Sequence, residues 1–266
     1  MKITYLNTWG ARKLENYIHF LEEHKSDQDI FCFQEVCDAS EEKFSPRGGV
    51  LNQRKITKDT LFEFTDFHAV RQYDWSDPED FGGYLPWGND IFVHKNNPVF
   101  EYREKFVIGH QNSALNLETV YKLGGLPVVL QVIQTTHNNK KLWILNIHGH
   151  HAGSGIGKHD TRERIKQSEG IIECLKQLDG DIILGGDFNL DPDTESIKML
   201  EDFGLRNLIK EYNIPSTRTS FYSEEKRKQW PFADYVFVSS GIKVKSFEVD
   251  TDSLVSDHAP MYLEIE

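Results

Sequence analysis

Layered α/β packing is the fold class this sequence predicts, on two observations. Short runs rich in β-branched and aromatic residues read as strands, and most of them are apolar on both faces; stretches with helical periodicity lie between some of them. A strand that is apolar on both faces must be covered on both, so helices are expected to flank the sheets rather than leave a face in water.

In chain order the strand runs are ITYLN (3–7), DIFCFQEV (29–36), DIFVHK (90–95), PVVLQVIQTT (127–136), LWILNIH (142–148), DIILGGDF (181–188), ADYVFVS (233–239) and MYLEIE (261–266). Helical spacing appears at Leu14, Tyr17, Ile18 and Leu21, and again at Ile165, Ile172, Leu175 and Leu178. Asp160 followed by Glu163 has the form of a capping box for the second of these helices. A third, short helix is expected after Asp193, where Asp-Thr-Glu precedes SIKML. The segments 65–89 and 216–231 mix polar and aromatic residues with glycine and proline and read as long surface loops, where substrate contacts tend to sit. With no repeat and no low-complexity linker, one domain is expected over 1–266.

The chain has 266 residues, 38% hydrophobic and 12% aromatic, enough for a sizeable core. A net charge of −12 argues against a protein whose affinity comes from coating a phosphate backbone with lysine and arginine. Cys32, Cys37 and Cys174 lack metal-type spacing and suit a reducing compartment. MKITYLNTW has no apolar signal core, and no run approaches the ~18 apolar residues of a membrane span, so a cytoplasmic monomer without a membrane anchor is expected.

Polar residues recur at the ends of the apolar runs: Asn7, Glu35, His148, Asp187, Asn189, Asp234, and the pair Asp257 and His258. Lone buried carboxylates are costly, so a group of them calls for partners or a cation. In ILGGDFNLDPD (183–193), Asp191 and Asp193 read as turn and cap residues. Asp187 differs: two glycines before it allow close backbone approach, and in an extended chain its side chain and that of Asn189 point the same way. Taken alone, His258 would read as a structural histidine and Glu35 as an edge-strand charge.

As an ordered set, LNTWG, FCFQEV, NIHGHH, GGDFNLDPD, ADYVFVS and VSDHAPM resemble the motifs of the endonuclease/exonuclease/phosphatase superfamily of metal-dependent phosphoester hydrolases, across 1–266. The resemblance implies a four-layer αββα sandwich, two mixed β-sheets flanked by helices, with the site at one sheet edge. It implies Glu35 as principal ligand of Mg²⁺, with Mn²⁺ as a substitute, and Asn7 and Asp257 close to the metal or its waters. Asp187 would orient or deprotonate the attacking water, Asn189 would hydrogen-bond the transition state, His258 held by Asp234 would contact the phosphate, and His148 would sit by the phosphate or leaving group.

The chain departs from the family pattern in two places. Ile147-His148-Gly149 stands where Thr-His-Leu is common, and Phe232 where a basic residue often lies two before the aspartate of the DY motif. His150 and His151 in HGHHAGSGIG could add ligands, or belong to a solvated glycine-rich loop.

Superfamily members cleave nucleic acids, phospholipids and inositol phosphates, so loops decide the substrate. Trp230, with Phe221, Tyr222, Lys226, Arg227 and Lys228 in the same loop, reads either as a stacking platform with phosphate contacts or as a charged hairpin around one packed tryptophan. Asn89 closes a second aromatic segment, FGGYLPWGN, and with Trp230 is a candidate substrate contact. The expectation is a Mg²⁺-dependent, nuclease-like phosphodiesterase acting on single-stranded or terminal nucleic acid or a nucleotide-containing substrate. The alternatives are a phosphatase or phospholipid phosphodiesterase with the same site, and an inactive binding protein on this fold.

Overall fold

The computed structural model describes residues 1–39, 48–75, 83–109, 127–152 and 157–266, with backbone alone at 70–75 and 83–86. The strands are β1 (Lys2–Asn7), β2 (Ile30–Cys37), β3 (Phe64–Trp75), β4 (Gly83–His94), β5 (Glu101–Ile108), β6 (Val128–His137), β7 (Lys140–His148), β8 (Asp181–Asp187), β9 (Leu205–Asn207), β10 (Asp234–Ser239), β11 (Val244–Val249) and β12 (Met261–Ile265). They form two six-stranded sheets, ordered β11-β12-β1-β2-β4-β3 and β5-β6-β7-β8-β10-β9. Each sheet holds one parallel pair near its middle, β1 with β2 and β7 with β8, among antiparallel neighbours. Parallel strands finish at the same edge, so the carboxyl ends of each pair come together.

Alternation along β2 shows why both faces are apolar. Ile30 and Cys32 join the cluster shared with the second sheet, whereas Phe31 and Phe33 pack with Tyr17, Phe20 and Leu21 of the helix Leu14–His24. On the other side, Ile171, Cys174 and Leu175 of the helix Arg162–Leu175 cover the second sheet. Helix, sheet, sheet and helix thus stack as the four expected layers. No helix among the described residues is long and apolar enough to cross a membrane.

The space between the sheets is not wholly apolar. Gln34 Nε2 of β2 donates to Asn146 Oδ1 of β7 at 2.6 Å, and Asn146 Nδ2 donates to Gln131 Oε1 of β6 at 2.9 Å and to the Phe33 carbonyl at 3.0 Å. Gln131 Nε2 returns to the first sheet through the Phe67 carbonyl at 2.7 Å. All three amides are fully buried, so their pairing specifies how the sheets are juxtaposed.

Three expectations are corrected. Residues 65–89 are not a surface loop: β3 and β4 occupy most of the span, and only 76–82 lie outside the described residues. The other loop, 216–231, contains a short helix, Glu224–Gln229. Asp160 does not cap the helix that follows it; Thr161 does, accepting from the Arg164 amide at 3.2 Å. Asp160 reaches instead to the start of the helix Glu195–Asp202, accepting from the amides of Glu195 at 2.7 Å and Ser196 at 3.1 Å. The short β9 and the edge strands β5 and β11 carry too little apolar alternation to stand out in the sequence.

The paired glycines before Asp187 serve two different needs. A Cβ on Gly185 would lie 2.7 Å from the Tyr5 ring of the facing sheet. Gly186 has φ +130°, and a Cβ there would lie 2.1 Å from the Ile147 carbonyl oxygen. Gly185→Ala should therefore cost about 1–3 kcal/mol by overpacking, and Gly186→Ala more, since the added strain is in the backbone. Urea unfolding checks both, and equal stability of Gly185→Ala and wild type would contradict this account of the sheet contact.

Candidate active site

The two parallel pairs face each other, so the ends of β1, β2, β7 and β8 deliver Asn7, Glu35, His148 and Asp187 to one edge. His148 and Asp187 are register partners on β7 and β8, and Asp234, first residue of β10, pairs with Asp187 from the other side. Asp257 and His258 precede β12, which pairs with β1. Glu35 sits where the pairing of β2 with β4 slips register, and its φ of +59° turns the side chain out of the strand alternation. Asn189 is also left-handed, at φ +57°, a conformation asparagine tolerates.

Asn7 links the two sheets' carboxylates: its Nδ2 donates to Glu35 Oε1 at 3.2 Å and to Asp187 Oδ2 at 3.1 Å, while its Oδ1 accepts from the Trp9 amide at 3.0 Å. His148 Nε2 stands 3.9 Å from Glu35 Oε1 and 3.7 Å from Asp187 Oδ2. His258 Nδ1 meets both oxygens of Asp234, at 2.8 and 2.9 Å, and its Nε2 stands 3.7 Å from Asp187 Oδ2. Asp234 is steadied by Thr217 Oγ1, which donates at 2.9 Å. Ser256 Oγ donates to the Asn7 carbonyl at 2.7 Å and accepts from the His258 amide at 3.2 Å, tying the Asp257 loop to β1.

Electrostatics separate the carboxylates. Burial, reinforced by the charges of Asp257 and Asp187, pushes the Glu35 carboxyl up to about 7 against the pull of His258 and the Asn7 amide. Burial would raise Asp187 as well, but His258, Lys158, His148 and Arg218 surround it and hold it well below the usual carboxylate range. Burial and Arg218 oppose charge on His258; Asp234 and Asp187 favour it and prevail, raising its pKa. Glu35 thus carries excess negative field, and with the neighbouring Asp257 it offers carboxylate oxygens suited to a hard divalent cation, while Asn7 turns Nδ2 to Glu35 and Oδ1 to the Trp9 amide. Asp187, Asp234 and His258 also bring one ligand atom each within 4.8 Å of one another. Both oxygens of Asp234 engage Nδ1 of His258, so these two are better described as a hydrogen-bonded pair, with Asp187 3.7 Å from Nε2.

Two cations here stand out in the structure but not in the sequence. Lys158 Nζ donates to Asn189 Oδ1, and burial drives its pKa down to about 8. Arg218 Nη1 contacts His258 Nε2. Lys158 closes the glycine-rich segment read as solvated, of which 153–156 lie outside the described residues; the preceding His150 is buried, its amide on Gln167 Oε1 at 2.6 Å and its carbonyl accepting from Arg164 Nε. Nothing in linear order marks which loop cations turn inward.

The candidate substrate contacts fall in different settings. Trp230, half-buried, caps the helix Glu224–Gln229 and packs against the backbone at Gly157, next to Lys158. Asn89 is buried, and its Nδ2 donates to the Val129 carbonyl at 3.4 Å. Phe221 packs on Trp9, with ring centroids 6.2 Å apart, and Arg218 stacks over Tyr222 at 4.4 Å.

Residues 4–258 match the model of the Endonuclease/Exonuclease/phosphatase family. No curated protein matches the sequence. Among solved structures, the chain is similar over its full length to an endonuclease/exonuclease/phosphatase from Bacteroides vulgatus (TM-score 0.68, 18% identity, 98% of that chain) and to a mannosyl-6-phosphatase from Bacteroides thetaiotaomicron (0.68, 19%, 99%). It is likewise similar to D. rerio TDP2 complexed with single strand DNA product (0.63, 16%, 98% of that chain). At such identities these structures speak for the fold, whereas the family match extends over the motifs themselves: the chain belongs to the Endonuclease/Exonuclease/phosphatase family.

Proposed function

We propose that this chain, as one domain and a cytoplasmic monomer, hydrolyses phosphodiester bonds in a nuclease-like reaction that depends on Mg²⁺ or, in its place, Mn²⁺. The observation that carries the reading is the convergence of Glu35, His148, Asp187 and the His258–Asp234 pair on one edge, with Asn7 Nδ2 joining Glu35 to Asp187; burial and like charge push Glu35 up while surrounding cations hold Asp187 down. Glu35 would be the principal holder of the cation, with Asp257 and Asn7 close to it or its waters, and the bound cation would supply Lewis-acid polarisation of a phosphoryl oxygen.

The protein groups divide the remaining work. Asp187 accepts a hydrogen bond from the attacking water; its depressed pKa makes it an orienting group first and a weak base second. Asn189 gives one Nδ2 hydrogen to the Gly149 carbonyl at 3.1 Å and has a second for a phosphoryl oxygen. His258, aligned by Asp234, would face the phosphate through Nε2, and His148, between Glu35 and Asp187, would sit by the phosphate or leaving group. With a net charge of −12 only a small basic footprint is available, which suits single-stranded or terminal segments, with Trp230 as a stacking surface beside Lys158. A second reading, hydrolysis of a phosphomonoester, is favoured by the two cations Lys158 and Arg218, which would offset the additional charge of a terminal phosphate.

Chelation with EDTA should abolish turnover across a panel of single-stranded DNA, RNA, sphingomyelin, inositol phosphates and a chromogenic bis-phosphodiester, and Mg²⁺ or Mn²⁺ should restore it. Full turnover in metal-free buffer would sink the mechanism. Because Glu35 must be ionised to hold a cation and its carboxyl lies at about 7, Mn²⁺ affinity by calorimetry should fall as pH drops through about 7, by roughly tenfold per unit below it. An affinity flat across that range, or unchanged in Glu35→Gln, removes Glu35 from the metal.

Asp187→Asn and His258→Ala should each lower kcat by roughly 10²–10⁴ with the fold retained by circular dichroism. The double variant should lose far less than the product of the two effects, since both act on one transition state. A loss of only a few-fold in either variant would reassign that residue to structure.

A further inference from the structure

Arg218 is a guanidinium only 3% exposed, yet among the described residues it makes no ion pair. Its Nη1 contacts His258 Nε2, its Nε has no hydrogen-bond partner, and its plane covers the Tyr222 ring at 4.4 Å. Its charge acts on the neighbouring Asp187, whose carboxyl it helps to hold down, but among the described residues nothing accepts from its Nε–H. The second inward cation, Lys158, is 7% exposed and likewise rests on a neutral acceptor, the Asn189 amide oxygen. An unpartnered donor at this edge is open to an arriving anion.

Local geometry aims Arg218 at the reacting centre. Thr217 receives the amide of Ala233 at 3.1 Å and donates to Asp234, and Arg218 forms an isolated antiparallel bridge with His258. The Thr-Arg-Thr segment therefore lies between the DY strand and the loop carrying His258. Phe232 leaves the DY motif without a cation two residues before Asp234, while Arg218 follows Thr217, which holds Asp234. Guanidinium nitrogens only donate, so when the imidazole is neutral Nε2 accepts in this contact and Nδ1–H faces Asp234.

We propose that Arg218 is a receptor for a non-bridging oxygen of the substrate's phosphoryl group, engaged when its Nη1 hydrogen bond passes from His258 Nε2 to the phosphate. The unpartnered Nε–H offers a second bond, giving the two-pronged contact that arginine makes with phosphate and lysine does not. Once Nη1 has moved, Nε2 is left facing the phosphoryl group and Asp187. This assignment deepens the hydrolase reading above and rests on it for the identity of the anion.

The test uses inorganic phosphate as probe on the full chain with Mg²⁺, by calorimetry and thermal unfolding, comparing wild type with Arg218→Met and Arg218→Lys. Phosphate should raise the Tm of wild type. Arg218→Met should retain the fold by circular dichroism and bind phosphate roughly tenfold or more weakly than wild type. Arg218→Lys should fall between the two. If Arg218→Met lowers Tm but binds phosphate as wild type does, Arg218 is a structural clamp on His258 and the proposal is overturned; failure of wild type to bind phosphate overturns it equally. Phosphate binding through Arg218 with no turnover on any substrate would instead retire the hydrolase reading alone. Metal-dependent turnover unaltered in Arg218→Met would keep that reading and discard the receptor.

Discussion

The buried amide chain Gln34–Asn146–Gln131 is the constraint on which the arrangement depends. Aliphatic packing between two sheets is permissive: a slip along the strands trades one Ile–Val contact for another. An amide is not permissive, because moving it by one residue leaves donors and acceptors unpaired in a medium without water. Gln34 immediately precedes Glu35, and Asn146 is two residues before His148. Locking these amides therefore sets the distance between residues from different sheets to within a hydrogen bond, and Asn7 can then span Glu35 and Asp187. The glycines at 185 and 186 serve the same end by letting Tyr5 and the Ile147 carbonyl come close.

A second principle operates at the sheet edge, where donor-only cations decide the orientation of side chains that could face either way. Lys158 against one end of the Asn189 amide makes that end the oxygen and turns Nδ2 toward Gly149 and the site. In the neutral imidazole, Arg218 against Nε2 makes that nitrogen the acceptor of His258 and sends the ring proton to Asp234. Asparagine and histidine are ambivalent groups, and a functional site needs them in one state before substrate arrives.

The strand ends were legible because burial and polarity conflict there: a carboxylate after ILGG and a glutamate within FCFQEV stand in apolar runs where a lone charge is costly, and their order along the chain carries the family signature. What escaped reading was decided by tertiary contact. Asp160 and Thr161 are both competent caps, and only the packing of two helices assigns Asp160 to the second of them. Residues 65–75 mix polar and apolar side chains as a strand at a sheet edge does, which in sequence is indistinguishable from a loop. Arg218 and Lys158 lie in polar surroundings where an outward cation and an inward one look the same.

The pairing of β1 with β12 brings the first and last strands of the fold side by side, with Asp257 and His258 on the approach to β12. Contacts of such sequence separation form late, because a long loop must close before they contribute. A growing chain can lay down β1, β2, β7 and β8 and still lack the loop that Ser256 ties to Asn7. The reactive edge is consequently incomplete throughout synthesis and becomes whole only when β12 docks, so a chain cut short before β12 can have much of its sandwich and none of its chemistry.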